Sequence, residues 1–238
     1  MKIGDIKVSL LDMARCNSCS VRESSLCSGM TDNEFDRVHN YIDDVIFPAG
    51  SVLFRQGDEG HHVFTIRSGL VKLNRLRQNG ELRIMRILRP SDIGGLEVVV
   101  ANKYEYDAIA LEPVVACRIP VKLIKELDVQ SPMLHQKLLE RWHLTVSEAD
   151  EWMAELTSGS ARARLAKLLL KMRTAAKPEM STLFSREDIG SMLCMTMETA
   201  SRTIKAFERE GKIKPEDSGG RYYRVDVHAL EQEILKDD

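Results

Sequence analysis

From Val45 to Pro120 apolar and polar residues alternate in short runs, and turn residues break the runs at close intervals. The breaks are Phe47-Pro-Ala-Gly50, Gln56-Gly-Asp-Glu-Gly60, Arg67-Ser-Gly69, Gln78-Asn-Gly80 and the stretch from Arg89 to Gly95. Between them, Val63-Phe-Thr-Ile66, Leu70-Val-Lys-Leu73 and the segment Leu82–Leu88 are rich in β-branched and other apolar residues that suit a half-buried pleated surface. Evenly spaced short strands with glycine-rich turns predict an antiparallel barrel or jelly roll. Asn79-Gly80 is the strongest single hairpin signal, because both residues tolerate the positive φ that a tight hairpin turn demands.

Beyond Pro120 the period changes. Leu134, Leu138, Trp142, Thr145, Ala149, Trp152 and Leu156 recur at alternating spacings of four and three, which places them on one stripe of a long helix. Two uses of that stripe are open: the seam of a helical dimer, or packing against the helix's own domain. As a dimer seam it is weak, since Thr145 and Ala149 bury little and Glu148, Asp150, Glu151 and Glu155 crowd acid beside it. A dimer built on it is expected to be marginal and therefore switchable.

A basic amphipathic helix follows at Ala161–Met172, and then two helix starts in succession. Ser185 with Asp188 three residues on has the form of a capping box, and Thr196 is placed to cap a second helix. Gly190 permits close approach, Ile189 and Leu193 point one way, and Ala200, Ile204 and Phe207 form the apolar face of the second helix. Two short helices joined by a tight turn predict a helix-turn-helix. Cys194, in that turn, is expected as a small buried hydrophobe. The exposed face of the second helix carries Met197, Glu198, Ser201, Arg202 and Lys205, side chains suited to the major groove. Glutamate accepts from the cytosine amino group, arginine forks onto guanine or a phosphate, and serine bonds to either. The competing reading is a solvated face carrying an incidental Glu198–Arg202 ion pair. Residues 212–227 read as a hairpin with a Gly-Gly tip, completing a winged helix with Lys212, Lys214 and Arg221 set for phosphates.

Composition narrows the class. The 238 residues are 43% hydrophobic with a net charge of −2, so no global field favours nucleic acid. Residues 159–238, however, hold 15 Lys and Arg against 13 Asp and Glu, a mild basic bias in the segment that carries the helix-turn-helix. No run of apolar residues reaches membrane-spanning length and no signal-type N-terminus is present, which predicts a cytoplasmic chain without membrane association. No catalytic constellation is visible, and an enzyme is not expected. Five cysteines in a reducing compartment argue for metal or thiol chemistry over disulfides. Three of them, Cys16, Cys19 and Cys27, fall within twelve residues. Iron, zinc and redox thiols all remain open from spacing alone.

A short-stranded barrel, a long helix and a winged helix-turn-helix in this order resemble the CRP/FNR family of bacterial transcription regulators. The resemblance is strongest at Glu198-Thr-Ala-Ser-Arg202, which is similar to the E-x-x-S-R of the FNR branch, whose members read TTGAT-type half-sites in an inverted repeat. It implies an α+β chain: a cysteine-bearing arm (1–29), a sensory double-stranded β-helix or jelly roll like the cyclic-nucleotide-binding domain (30–130), a dimerisation helix (131–157) and a winged helix-turn-helix (158–238). It further implies DNA contact by Thr196, Glu198, Ser201, Arg202 and Lys205, a homodimer on the Leu134–Leu156 stripe, and RNA polymerase as a partner. Where cyclic-AMP-binding members carry Gly-Glu-Leu and Arg-Ser, this chain has Gly94-Gly-Leu-Glu97 and Tyr104-Glu-Tyr-Asp107, so a cyclic nucleotide is not expected. The FNR branch instead implies one 4Fe–4S cluster per chain on Cys16, Cys19, Cys27 and Cys117, the last in a Cys-x-Ile-Pro context. Seven residues separate Cys19 from Cys27, two more than the branch's best-known spacing. The alternative within the same family is a regulator whose cysteines bind structural zinc or act as redox thiols.

Overall fold

The computed structural model describes residues 19, 21–29, 31, 33, 35–36, 39–76, 80, 82–174 and 177–237. Internal contacts divide the chain into two units, one ending at Val146 and one beginning at Ser147.

The first unit is built from the strands that the alternation predicts: β1 (Asp43–Phe47), β2 (Val52–Phe54), β3 (His62–Ser68), β4 (Val71–Leu76), β5 (Leu82–Leu88), β6 (Ile93–Gly94), β7 (Asp107–Ala110) and β8 (Val114–Pro120). They form two antiparallel four-stranded sheets with orders β1-β8-β3-β6 and β2-β7-β4-β5. Such non-sequential neighbours mark a jelly roll. β4 and β5 pair as the expected hairpin; Asn79 lies outside the described residues, while Gly80 has a φ of +81°. The inner face of the strands supplies the core, with Val45, Phe47, Ile66, Val71, Leu73 and Ala116 all at most 2% exposed, while Val63 and Ile119 are buried on the opposite face of β3 and β8. Between β6 and β7 sits a single turn, α1 (Val98–Ala101), and after β8 comes α2 (Val121–Gln130).

Helix α3 (Pro132–Leu156) begins in this unit. Leu134 and Leu138 belong to the jelly-roll core, and Trp142 packs against it half-buried. That stretch of the apolar stripe is therefore an intrachain packing face. Farther along the stripe Thr145 is half-buried, Ala149 is exposed, and Trp152 and Leu156 are buried. The large apolar side chains that α3 leaves in water are Met133, Leu139, Leu144, Val146 and Met153.

The second unit contains α4 (Ala161–Lys171), β9 (Arg173–Thr174), β10 (Lys177–Thr182), α5 (Arg186–Leu193), α6 (Met197–Arg209), β11 (Ile213–Pro215), β12 (Tyr222–Val225) and α7 (Val227–Leu235). Its sheet has the order β11-β12-β10-β9, and β11 with β12 forms the wing. The Asp217 carboxylate closes the wing tip by accepting the backbone N–H groups of Gly219, Arg221 and Tyr222. Among the described residues, no helix is long and apolar enough to cross a membrane.

Candidate DNA interface and thiol cavity

The helix-turn-helix forms as its caps predict. Ser185 Oγ accepts the Asp188 N–H at 3.0 Å to start α5, and Thr196 Oγ1 accepts the Thr199 N–H at 3.2 Å to start α6. Between them the chain turns through Cys194, whose φ is +53°. The turn crowds onto Gly190, where a Cβ would stand 2.7 Å from the Met195 carbonyl oxygen, so glycine is required for the close approach. Cys194 is exposed rather than buried. The left-handed conformation that ends α5 turns its side chain to solvent, a conformational demand that a hydrophobicity argument does not see.

Ala200, Ile204 and Phe207 are fully buried and seat α6 on the domain. That fixes its other face outward: Glu198, Arg202 and Lys205 are exposed and Ser201 is half-buried. Among the described residues no ion pair joins Glu198 to Arg202, so neither side chain is neutralised by the other. Thr196 is exposed with its hydroxyl committed to the cap.

Behind α6 lies a charge network. Arg162, on α4, donates to Glu210 through both terminal nitrogens at 3.0 and 2.6 Å and to Glu233 through Nε at 2.5 Å, and Lys212 pairs with both carboxylates. These hydrogen bonds, Arg162's first, hold the Glu210 and Glu233 carboxyls down to about 2. The cations lie over the Phe207 ring at 4.9 Å for Arg162 and 5.2 Å for Lys212. Lys212 is thus not the phosphate contact expected of it; it is a 12% exposed member of the network that ties the wing to α4 and α7. Lys214 remains exposed on the wing and Arg221 is half-buried.

The second site lies on the outer face of the jelly roll. Antiparallel register sets Asp44 of β1, Cys117 of β8 and Thr65 of β3 in one row across the sheet. Over this row pack the turns Arg22–Ser24 and Leu26–Gly29, with Leu26 1% exposed in the core and Arg22 stacked 4.1 Å from the Phe35 ring. The result is a small cavity lined by Cys19, Cys27 and Cys117 together with Arg22, Phe35 and Thr65. Cys16 lies outside the described residues. Three thiols that the chain separates by up to 98 positions therefore face one space. Among the described residues, no group of three or more His, Cys, Asp or Glu side chains stands in ligating distance of a common metal position.

The Cys117 Sγ–H donates to Asp44 Oδ1 at 3.5 Å, and Arg67 Nη1 donates to Asp44 Oδ2 at 2.5 Å. Burial first, and then the Asp44 charge, pushes the Cys117 thiol far up. Burial works against the Arg67 charge, but its bond to Asp44 prevails and keeps the guanidinium above its ordinary value. Asp44, Thr65 and Arg67 carry no motif in the sequence; only cross-strand register reveals them.

The stretches Gly94–Glu97 and Tyr104–Asp107 are held by contacts within the barrel unit. Tyr104 stacks on Phe54 with ring centroids 4.1 Å apart and donates its hydroxyl to the His62 carbonyl at 2.7 Å. Burial raises the Glu97 carboxyl, which accepts the Glu105 N–H at 3.3 Å, and Asp107 accepts the Gln56 N–H at 2.8 Å.

Comparison with known proteins agrees with both units. Residues 44–130 match the cyclic nucleotide-binding domain family and residues 163–233 the Crp-like helix-turn-helix domain family. The transcriptional activator protein anr of Pseudomonas aeruginosa is 30% identical over 222 residues, covering 89% of each chain. The transcriptional activator protein FnrA of Stutzerimonas stutzeri is 31% identical over the same length and coverage. FixK2 from Bradyrhizobium japonicum superposes with a TM-score of 0.71 at 22% identity over 80% of this chain and 96% of that one, a likeness of fold. With an outward-facing helix-turn-helix joined to a jelly roll, and relatives of this identity along almost its whole length, the chain is a DNA-binding transcription regulator that belongs to the FNR branch of the CRP/FNR family.

Proposed function

We propose that this regulator is an oxygen-responsive dimer that holds one 4Fe–4S cluster per chain on Cys16, Cys19, Cys27 and Cys117 and reads a TTGAT-like inverted repeat. The observation that carries the cluster is the convergence of Cys19, Cys27 and Cys117 on one cavity. The donor type fits: thiolates are the ligands such clusters take, and Cys19 and Cys27 of the arm line the same cavity as Cys117 of the barrel. When bound there, the cluster supplies an oxygen-labile centre. Around it the chain's own residues exclude water, with Phe35 and Ile119 in the cavity wall, while Arg67 balances the negative charge of Asp44. A cyclic nucleotide has no place in this reading, since the matching stretches Gly94–Glu97 and Tyr104–Asp107 offer carboxylates and no arginine.

On DNA, Glu198, Ser201 and Arg202 reach base edges and Lys205 supports them, each good contact discriminating by about 1–3 kcal/mol. Pairing two copies through α3 sets two recognition helices about 34 Å apart, one turn of the duplex. The exposed series Leu139, Val146 and Met153, seven residues apart, offers a contact stripe for that pairing beside Thr145 and Ala149 of the predicted seam, whose Leu134 and Leu138 pack inside each chain. As an activator in the cytoplasm, the dimer would meet RNA polymerase at the promoter.

Anaerobic reconstitution tests the reading directly. About four irons and four sulfides per chain, with a brown absorbance that bleaches in air, are expected. A colourless protein carrying one zinc, or thiols that cycle to a disulfide with no metal, would replace the cluster by the alternative chemistry and leave the DNA-binding assignment standing.

A further inference from the structure

The thiol cavity holds a polar group that the three cysteines lining it do not account for. Thr65 is 2% exposed, lines the cavity, and its Oγ1 has no hydrogen-bond partner. Its position is set by the fold: Phe64 and Ile66, its neighbours on β3, are buried in the jelly-roll core, so alternation sends Thr65 to the opposite face of the strand. There it lies directly across from Cys117, as side chains of register partners do. The thiol of Cys117 is already turned to Asp44 on the other flanking strand, and no bond runs from Thr65 to it. A buried hydroxyl without a partner is a standing cost, and valine would fill the same volume on the same strand without it.

We propose that the Thr65 hydroxyl is a positioning donor for the group held by the cysteines: it hydrogen-bonds to a sulfur of the cluster or to the Cys117 thiolate. This rests on the cluster reading above. An O–H aimed at sulfur draws charge from it and favours the more negative, more reduced state of the cluster, so it sets the reduction potential without being a ligand. Asp44 cannot do this, because it accepts from Cys117 and Arg67 and as a carboxylate has no proton to give. Thr65 is therefore the side chain from the barrel row that offers a donor to the cavity.

The test compares the reconstituted full chain with Thr65→Val and Thr65→Ser. All three should take up equal iron and sulfide. At a fixed applied potential the reduced-to-oxidised ratio of the cluster should fall roughly fivefold in Thr65→Val, the factor of one net hydrogen bond. Thr65→Ser, which keeps the hydroxyl, should stay near the parent value. Equal ratios in parent and Thr65→Val, with both cluster-loaded, would overturn this proposal and leave the cluster intact as a reading. A parent chain that takes up no iron would overturn both. A second readout needs no variant: Fe–S stretching bands of the parent should shift in D2O as the hydroxyl exchanges, and bands that do not move would overturn the donor role.

Discussion

The Arg162–Glu210–Lys212–Glu233 network makes the stability of the DNA-binding unit depend on pH in a calculable way. Glu233 is the sharpest handle, since its side chain is 7% exposed and it bonds to both cations. Its carboxyl falls from 4.5 in the unfolded chain to about 2 in the folded one, chiefly through Arg162. A depressed carboxyl contributes stability that is complete above its unfolded value and disappears as pH drops through its folded value, here from about pH 5 down to pH 2. The full shift corresponds to about 3 kcal/mol, and because Arg162 is itself 35% exposed, solvent screening leaves about 2 kcal/mol. Glu233→Gln should therefore lower the unfolding free energy of this unit by about 2 kcal/mol at pH 7, with much of that difference lost at pH 3. Urea titrations of both proteins at the two pH values, followed by tyrosine-dependent near-UV dichroism, measure it; Tyr223 donates to Glu208 inside the same unit. A penalty of the same size at both pH values would mean that Glu233 acts by shape and not by charge.

Other outcomes follow from the same geometry. Arg202→Ala should cost about 1–3 kcal/mol of discrimination at one base pair in a binding-site selection, whereas a uniform loss over all sequences would reduce it to a phosphate contact. Gly190→Ala places a methyl 2.7 Å from a backbone carbonyl and should destabilise the helix-turn-helix by about 1–3 kcal/mol in thermal unfolding. Adjacent residues on α3 should behave oppositely: Leu138→Ala should cost about 2–5 kcal/mol of jelly-roll stability, while Leu139→Ala should leave folding nearly unchanged and weaken self-association in analytical ultracentrifugation. Cys117→Ala should abolish iron uptake on reconstitution and leave the thermal stability of the winged unit unaltered.

Much of this was written in local pattern. Period-2 alternation and glycine turns announced the strands, and Ser185 and Thr196 announced the caps, because both signals arise within a few residues of the feature they mark. Lys212 shows where local reading stops. A lysine at the base of a wing looks like a phosphate contact, yet its partners Glu210 and Glu233 make it structural, and Glu233 lies 21 residues away on another helix. The α3 stripe, left open between a dimer seam and intrachain packing, shows the same limit. Spacings of three and four identify an apolar face but not what covers it, and here the jelly-roll core had first claim on Leu134 and Leu138. Only after that claim is subtracted do Leu139, Val146 and Met153 stand out at heptad spacing.

The same subtraction locates the candidate sensing site. Tyr104 and Phe54 stack with ring centroids 4.1 Å apart and belong to the jelly-roll core. Cys19, Cys27 and Cys117 converge on the outer face of the β1-β8-β3 row, under the arm. Leu26, between Cys19 and Cys27 on that arm, belongs to the same packed cluster as Leu134 and Leu138 on α3. Arm and helix thus share one close-packed core, and packed cores rearrange between discrete states more readily than they deform continuously. A change that lifted the arm would withdraw Leu26 from the cluster that also holds Leu134 and Leu138 of α3.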